Sequence, residues 1–437
     1  MNATSKQSKN ACWYAEALCL GVTIGFSEVL LAIYYGSQAM DSVTLAIFMT
    51  VPAAFGALAQ AGMTNIRRFC TNAKRLALSA MAVQIGGLLL MSWSLTSQAS
   101  QSANMFIGQC LYWIGGMISS SPTQEILVYN VDPSFHNRFF SRRAMLMTVL
   151  TLICNLSSAR ILENGLTNQI RATFLLIAAG TRFISMLLVW ISANHKKIDS
   201  SRGTSSVTDE AVVSIMKLSL VMMLFRCAVN ISSPFYSTYM LREIDLGFTA
   251  YSFLTALPLV TKALCLTNWA RLLDDNRKFE GLAIATFAIG TVPVLWAMNA
   301  STQWLSFLQV LSGLSWAGFD LISILLVQNM YPRSITQKLG VYLALSSIGS
   351  VAGGIIGGYI LRLTSSYHTL FAFSGVLRLL TGFGLLWYLR RHHLFRFKEL
   401  QVKSGIATLI TVRPSIEAAA KILPINLRKD SRQNRAA

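Results

Sequence analysis

Thr64 to Arg75 reads TNIRRFCTNAKR, and Thr267 to Lys278, 203 residues further on, reads TNWARLLDDNRK. Thr, Asn and Arg recur in register (Thr64/Thr267, Asn65/Asn268, Arg68/Arg271), and each stretch closes on two basic residues, Lys74-Arg75 and Arg277-Lys278. Polar residues repeated in order at a fixed offset mark a duplicated unit. Carried forward without a gap, the same offset pairs Trp113 with Trp316 and Gly115 with Gly318.

The sequence around the two stretches shows what is duplicated. Of the 437 residues, 53% are hydrophobic and only 13% charged. A soluble domain carries about a quarter charged residues, and disorder requires low hydrophobicity. Apolar runs of the length that crosses a bilayer, about 17 to 25 residues, fall at 13–36, 43–65, 76–95, 103–128, 143–162, 172–193, 213–238, 249–270, 281–299, 303–328, 339–361 and 368–390. These twelve spans predict an all-α integral membrane protein. They divide into an N-terminal six-helix bundle (13–193) and a C-terminal one (213–390), joined by a polar, Ser-rich linker at 194–212. A short tail (1–12) precedes them, and a basic tail (391–437) follows. Lys6 and Lys9 precede an apolar run longer than a signal-peptide core, with no small-x-small cleavage site.

The charge is lopsided, with 37 Lys and Arg against 18 Asp and Glu, a formal +19. In a soluble protein this would suggest nucleic acid. Here position decides otherwise. Twenty-eight of the basic residues lie in the tails and the loops that share a side with them. Four (Arg160, Arg171, Arg242, Arg362) lie in the opposite loops, and five (Arg182, Lys217, Arg226, Lys262, Arg378) inside spans. The positive-inside rule then places both termini in the cytoplasm, with the tails and basic loops against anionic lipid, and leaves no nucleic-acid role.

Twelve spans as six plus six, a polar central linker and basic 2–3 and 8–9 loops resemble the major facilitator superfamily. So do Ser121-Pro122, Asp132-Pro133 and Arg138-Phe139-Phe140-Ser141-Arg142-Arg143, at the end of span 4 and in the next loop. Ser312 to Phe319 (SGLSWAGF) in span 10 resembles the matching segment of the second half. Of the family's loop signature, loop 2–3 keeps Lys74-Arg75, and loop 8–9 keeps Asp274-Asp275-Asn276-Arg277-Lys278. The resemblance implies two bundles that rock about a central cavity lined by spans 1, 4, 7 and 10. It also implies a monomeric secondary transporter in a bacterial inner membrane, with gating at Asp274 and Arg277.

A charge at the bilayer centre costs roughly 2.5–3.5 kcal/mol on insertion scales, so each one needs a reason. Glu28, Arg226, Lys262 and Asp320 fall in spans 1, 7, 8 and 10. In span 7, Ser219, Arg226 and Ser233 recur at seven with Asn230 beside them; in span 10, Ser312, Trp316, Asp320 and Ser323 share a face. Facing stripes predict that Asp320 neutralises Arg226 or Lys262, leaving one cation for a solute and Glu28 across the cavity. On one reading Arg226 and Lys262 hold a carboxylate or phosphate, with Asn230, Trp113 and Trp316 beside it. Asp320 or Glu28 then carries a coupling proton. On the other reading Arg226–Asp320 is a fixed tie between helices. Glu125 is expected to gate with Arg138 or Arg142 near the end of span 4. Arg182 and Arg378 read as packing or snorkelling residues, and the glycines from Gly353 to Gly358 as a close helix contact.

Other chemistry is not indicated. The seven cysteines form neither a disulfide frame nor a CxxC site, the five histidines sit in loops or near span ends, and no GxxxxGK[ST] occurs. The sequence therefore reads as a proton-coupled transporter of a small anionic or zwitterionic solute, without cofactor or metal, and not as an enzyme. A multidrug-type exporter and a transporter-fold assembly factor or sensor that docks through its tail remain alternatives.

Overall fold

A computed structural model describes residues 3–37, 40–97, 101–131, 136–165, 167–192, 209–274, 278–330 and 335–391. Twelve long helical elements account for nearly all of them. We number these α1 (Ala3–Ser37), α2 (Ser42–Ala61), α3 (Ala73–Thr96), α4 (Gln101–Asn130), α5 (His136–Asn164) and α6 (Asn168–Ser192) in the first half. The second half holds α7 (Asp209–Asn230, continued through Phe235–Thr238 and Tyr239–Glu243), α8 (Phe248–Asp274), α9 (Lys278–Trp296), α10 (Thr302–Met330), α11 (Ile335–Thr364) and α12 (Tyr367–Arg391). Eleven are long and apolar enough to span a membrane. The twelfth, α4, has the length but carries Gln109, Ser119-Ser120-Ser121, Gln124 and Glu125. A helix with so polar a face belongs inside a bundle, not against lipid.

The helix breaks follow local chemistry. Asp41 starts α2 by accepting hydrogen bonds from the Val43 and Thr44 amides, at 3.2 and 3.3 Å. Asn72 starts α3 in the same way, from Lys74 and Arg75 at 3.0 and 3.2 Å. Pro234 cannot donate to the helical ladder, and α7 loosens there before closing in a π turn over Tyr239–Glu243. The duplicated stretches fold differently. After Gly62 the first becomes a separate short helix, Met63–Phe69, whereas α8 runs unbroken to Asp274 through the second.

Within the first half α1 packs on α5 and α6, α3 on α4 and α6, and α2 on α4. Adding six to each number gives the contacts of the second half: α7 on α11 and α12, α9 on α10 and α12, and α8 on α10. The offset read from the sequence is therefore a structural repeat. The halves meet through α2 with α11 and α5 with α8, which the same rule relates. Two glycine pairs at spacing four seat α11, one against α7 and one against α2. A side chain on Gly353 or Gly357 would strike the Cys227 or Ile231 carbonyl of α7, and one on Gly354 or Gly358 would strike Thr50 or Val43 of α2. Helix α11 is thus wedged between the halves on two adjacent glycine faces.

The cores reveal a polarity along the molecule. One continuous apolar cluster joins both halves at the end away from the chain termini, including Ile33, Tyr35, Phe235, Tyr239, Tyr251 and Trp296. At the end nearer the termini, each half has its own core: Trp13, Met81 and Leu127 in the first, and Phe225, Trp269 and Phe319 in the second. Ser42 Oγ donates to the Gly358 carbonyl at 2.8 Å, and Thr249 Oγ1 donates to Glu163, both across the halves at the far end. The halves are therefore joined at the far end and have separate cores at the terminal end.

Candidate functional site

Asp320 of α10 lies between two cations. It accepts from Lys262 Nζ of α8 at 2.6 Å through one oxygen and from Arg226 Nη2 of α7 at 3.1 Å through the other. Either cation alone was the expectation; both are engaged, and the triad keeps one net positive charge. The side chains remain partly accessible, 30% for Asp320, 24% for Arg226 and 42% for Lys262, and Lys262 lines a cavity. Trp316 and Phe319, one helical turn apart on α10, place their rings 4.9 and 5.4 Å from the Arg226 guanidinium. That cation–π packing fixes the plane of the guanidinium. Asn230 faces elsewhere: its amide donates to the Arg226 carbonyl at 2.9 Å and to Ser350 Oγ of α11 at 3.0 Å, pinning α7 to α11.

Glu28 approaches from the other half. Its carboxylate accepts from the Tyr112 hydroxyl at 3.3 Å, and that hydroxyl accepts from Ser27 at 3.0 Å. Glu28 and Lys262 line one cavity of about 490 Å³ between α1, α5 and α8. Glu28 also lines a second cavity of about 270 Å³ that runs through the first half past Trp113. Trp113 is held edge-on by Tyr112, with centroids 5.8 Å apart. Of the seven residues expected to bind solute or proton, six thus border cavities or the triad, and Asn230 braces the helix behind.

The gating residues divide differently. Among the described residues Glu125 pairs with Arg67 of the short Met63–Phe69 helix. That short helix brings Arg67 within reach of Glu125, a placement the linear order of spans does not reveal. Arg142 keeps a buried Nε without a hydrogen-bond partner. The side chains of Arg138 and Asp274 lie outside the described residues, as does Arg277 altogether. No group of three or more His, Cys, Asp or Glu suited to a metal occurs among the described residues.

Two membrane arginines neither snorkel nor pack passively. Arg378 is 3% exposed and donates to the Val229 and Ile289 carbonyls and to Ser232 and Ser374, at 2.7 to 3.2 Å. Arg182, also 3% exposed, donates to Gln84, Ser119 and Ser185 at 2.7 to 3.1 Å. Beside it Arg143 bonds Glu16 at 2.5 Å, with Glu16 only 1% exposed. Sequence reading missed Glu16 and Arg143. The signal was present on α1, where Glu16, Leu20, Ile24 and Glu28 recur at spacing four and all line the smaller cavity.

Residues 218–423 match the sequence model of the Major Facilitator Superfamily. A mutant of the nucleoside transporter NupG superposes with a TM-score of 0.72 at 13% identity, over 87% of this chain and 99% of that one. The chain has the fold of the major facilitator superfamily. A mutant of the peptide transporter POT bound to alafosfalin gives 0.66 at 12% identity, over 90% of this chain and 96% of that one. The human organic anion transporter MFSD10 (TETRAN) gives 0.59 at 13%, over 88% and 100%. No curated protein matches the sequence. The family match over the second half and the eleven long apolar helices together identify a multi-pass integral membrane protein.

Proposed function

We propose that this major facilitator protein is a proton-coupled secondary transporter of a small anionic or zwitterionic solute. One observation carries the reading: a carboxylate, Glu28, and a cation with charge to spare, Lys262, line the same cavity between the two halves. In the triad a single acid serves two cations, so an incoming carboxylate or phosphate completes the neutralisation. Glu28 lies opposite, where it accepts a proton or a solute ammonium. Protonating it removes a charge from a water-poor site, which eases the rearrangement of the halves around an occupied cavity. One structural neighbour is named as an organic anion transporter and another as a peptide transporter, which fits solutes of this charge.

The same reading takes the protein as a monomer in a bacterial inner membrane, and the 28-to-4 distribution of Lys and Arg supports cytoplasmic termini with the basic loops on anionic lipid. The split between the cores then corresponds to a state opening toward the cytoplasm.

Uptake into proteoliposomes under an imposed pH gradient tests the coupling. Glu28→Gln and Asp320→Asn should each abolish gradient-driven accumulation, with Glu28→Gln retaining exchange at equal pH. Accumulation that ignores the gradient in the wild type, or survives both substitutions, overturns the proposal.

A further inference from the structure

The smaller cavity holds a charge cluster for which the central site has no use. Glu16 of α1, Arg143 of α5 and Arg182 of α6 converge there, with Gln84 of α3 and Ser119 of α4. All five are at least nine-tenths buried. One carboxylate again faces two guanidiniums, so the cluster carries a net positive charge in a low-dielectric wall. Its donors are not used up. Arg143 gives Nη2 to Glu16, while its Nε is buried without a hydrogen-bond partner. A guanidinium presents five N–H donors in a rigid fork suited to oxyanions. A buried donor left empty is costly, and a cavity beside it supplies space for the missing acceptor.

The geometry points to a second oxyanion-binding station in the first half, formed by Arg143 and Arg182, which takes the carboxylate or phosphate group of a small solute. Twelve residues of helix separate Glu16 from Glu28, about 18 Å at the usual rise, and Leu20 and Ile24 line the cavity between them. The station therefore lies on a route from the terminal end of the molecule to Glu28, where the two cavities meet. Gln84 and Ser119 hold Arg182 in place, and Glu16 orients Arg143 by one arm. An anion arriving at the free edge of Arg143 neutralises the cluster without displacing any described bond. This deepens the proposed function, since the station and the central triad would recognise the same anionic group in turn.

Thermal unfolding of the purified full-length chain, titrated with inorganic phosphate and with acetate at constant ionic strength, tests the station. In the Lys262→Ala background, which disables the central triad, phosphate or acetate should still stabilise the protein saturably. Adding Glu16→Gln and Arg143→Gln together removes the ion pair while leaving the net charge of the cluster unchanged, carried by Arg182, and should weaken the midpoint at least tenfold. Ser120→Phe, which obstructs the cavity and leaves every charge in place, should do the same. Wild-type saturation in either of these variants overturns the station, as does loss of all saturation in Lys262→Ala alone. A parallel titration with short-chain phosphatidylglycerol separates the two sources of such a group: stabilisation by that lipid but by neither free anion overturns a solute station. Failure of gradient-driven uptake with phosphate stabilisation intact would sink the coupling reading and leave the station standing.

Discussion

Replacing Asp320 by Asn removes the acid that lies between two cations and keeps the side chain's shape. Arg226 and Lys262 then lose the counter-charge they share. At an effective dielectric near 20, opposite charges 4 Å apart attract by about 4 kcal/mol. The three side chains are 24 to 42% exposed, so water recovers part of that. Exposed pairs contribute up to about 1 kcal/mol, whereas breaking a buried pair costs about 3–5 kcal/mol. The triad falls between, and we expect Asp320→Asn to cost about 1–3 kcal/mol. Lys262→Met added to it removes one of the two stranded cations and should restore part of the loss. In a double-mutant cycle this appears as a coupling energy of about 1 kcal/mol or more. Thermal unfolding of the purified chain in neutral detergent reads the ranking, and the wild-type advantage should shrink as salt screens the partly exposed charges. The reasoning fails if Asp320→Asn is as stable as the wild type, or if Lys262→Met lowers the stability of the Asn variant further.

Three other perturbations probe the frame that positions the triad. Gly357→Ala places a methyl against the Ile231 carbonyl and should cost about 1–3 kcal/mol by overpacking, whereas Gly384→Ala, which meets nothing within 4 Å, should be neutral or stabilising; equal Tm values for the two would contradict the α7–α11 contact. Arg378→Leu removes the charge-assisted donations to Ser232, Ser374 and the Val229 and Ile289 carbonyls and should lose about 1–3 kcal/mol; Arg378→Lys should not rescue it, because an ammonium cannot reach the same four acceptors, and full rescue seen by unfolding would disprove the network. Paired Val43→Cys and Gly358→Cys, in a background without the seven native cysteines, should crosslink α2 to α11 on oxidation and arrest transport until reduced; undiminished flux in the crosslinked protein would mean that the far end need not open.

The spans and their duplication were legible because a bilayer imposes length and apolarity on each helix, and because the 203-residue offset survives in polar loop residues. The membrane charges were legible for the same reason, since Glu28, Arg226, Lys262 and Asp320 stand out against hydrocarbon. Glu16 escaped notice because it lies only a few residues into its span, where a charge is as easily read as interfacial. Arg67 was not considered as a partner of Glu125 because sequence distance made Arg138 and Arg142 its neighbours, whereas the break at Gly62 folds Arg67 against it.

By itself the sequence determined that the chain is a duplicated set of membrane helices with charged residues inside several of its spans. Those properties are set residue by residue, through helix length, transfer cost and repeat. The tertiary structure decided the partners: that Asp320 serves two cations, that Arg182 and Arg378 are bonded within their bundles, and that Glu16 meets Arg143 on α5. It also decided that the halves share a core at one end only. A partner is a matter of which helices are adjacent and how each is rotated, and spacing along a single helix specifies neither.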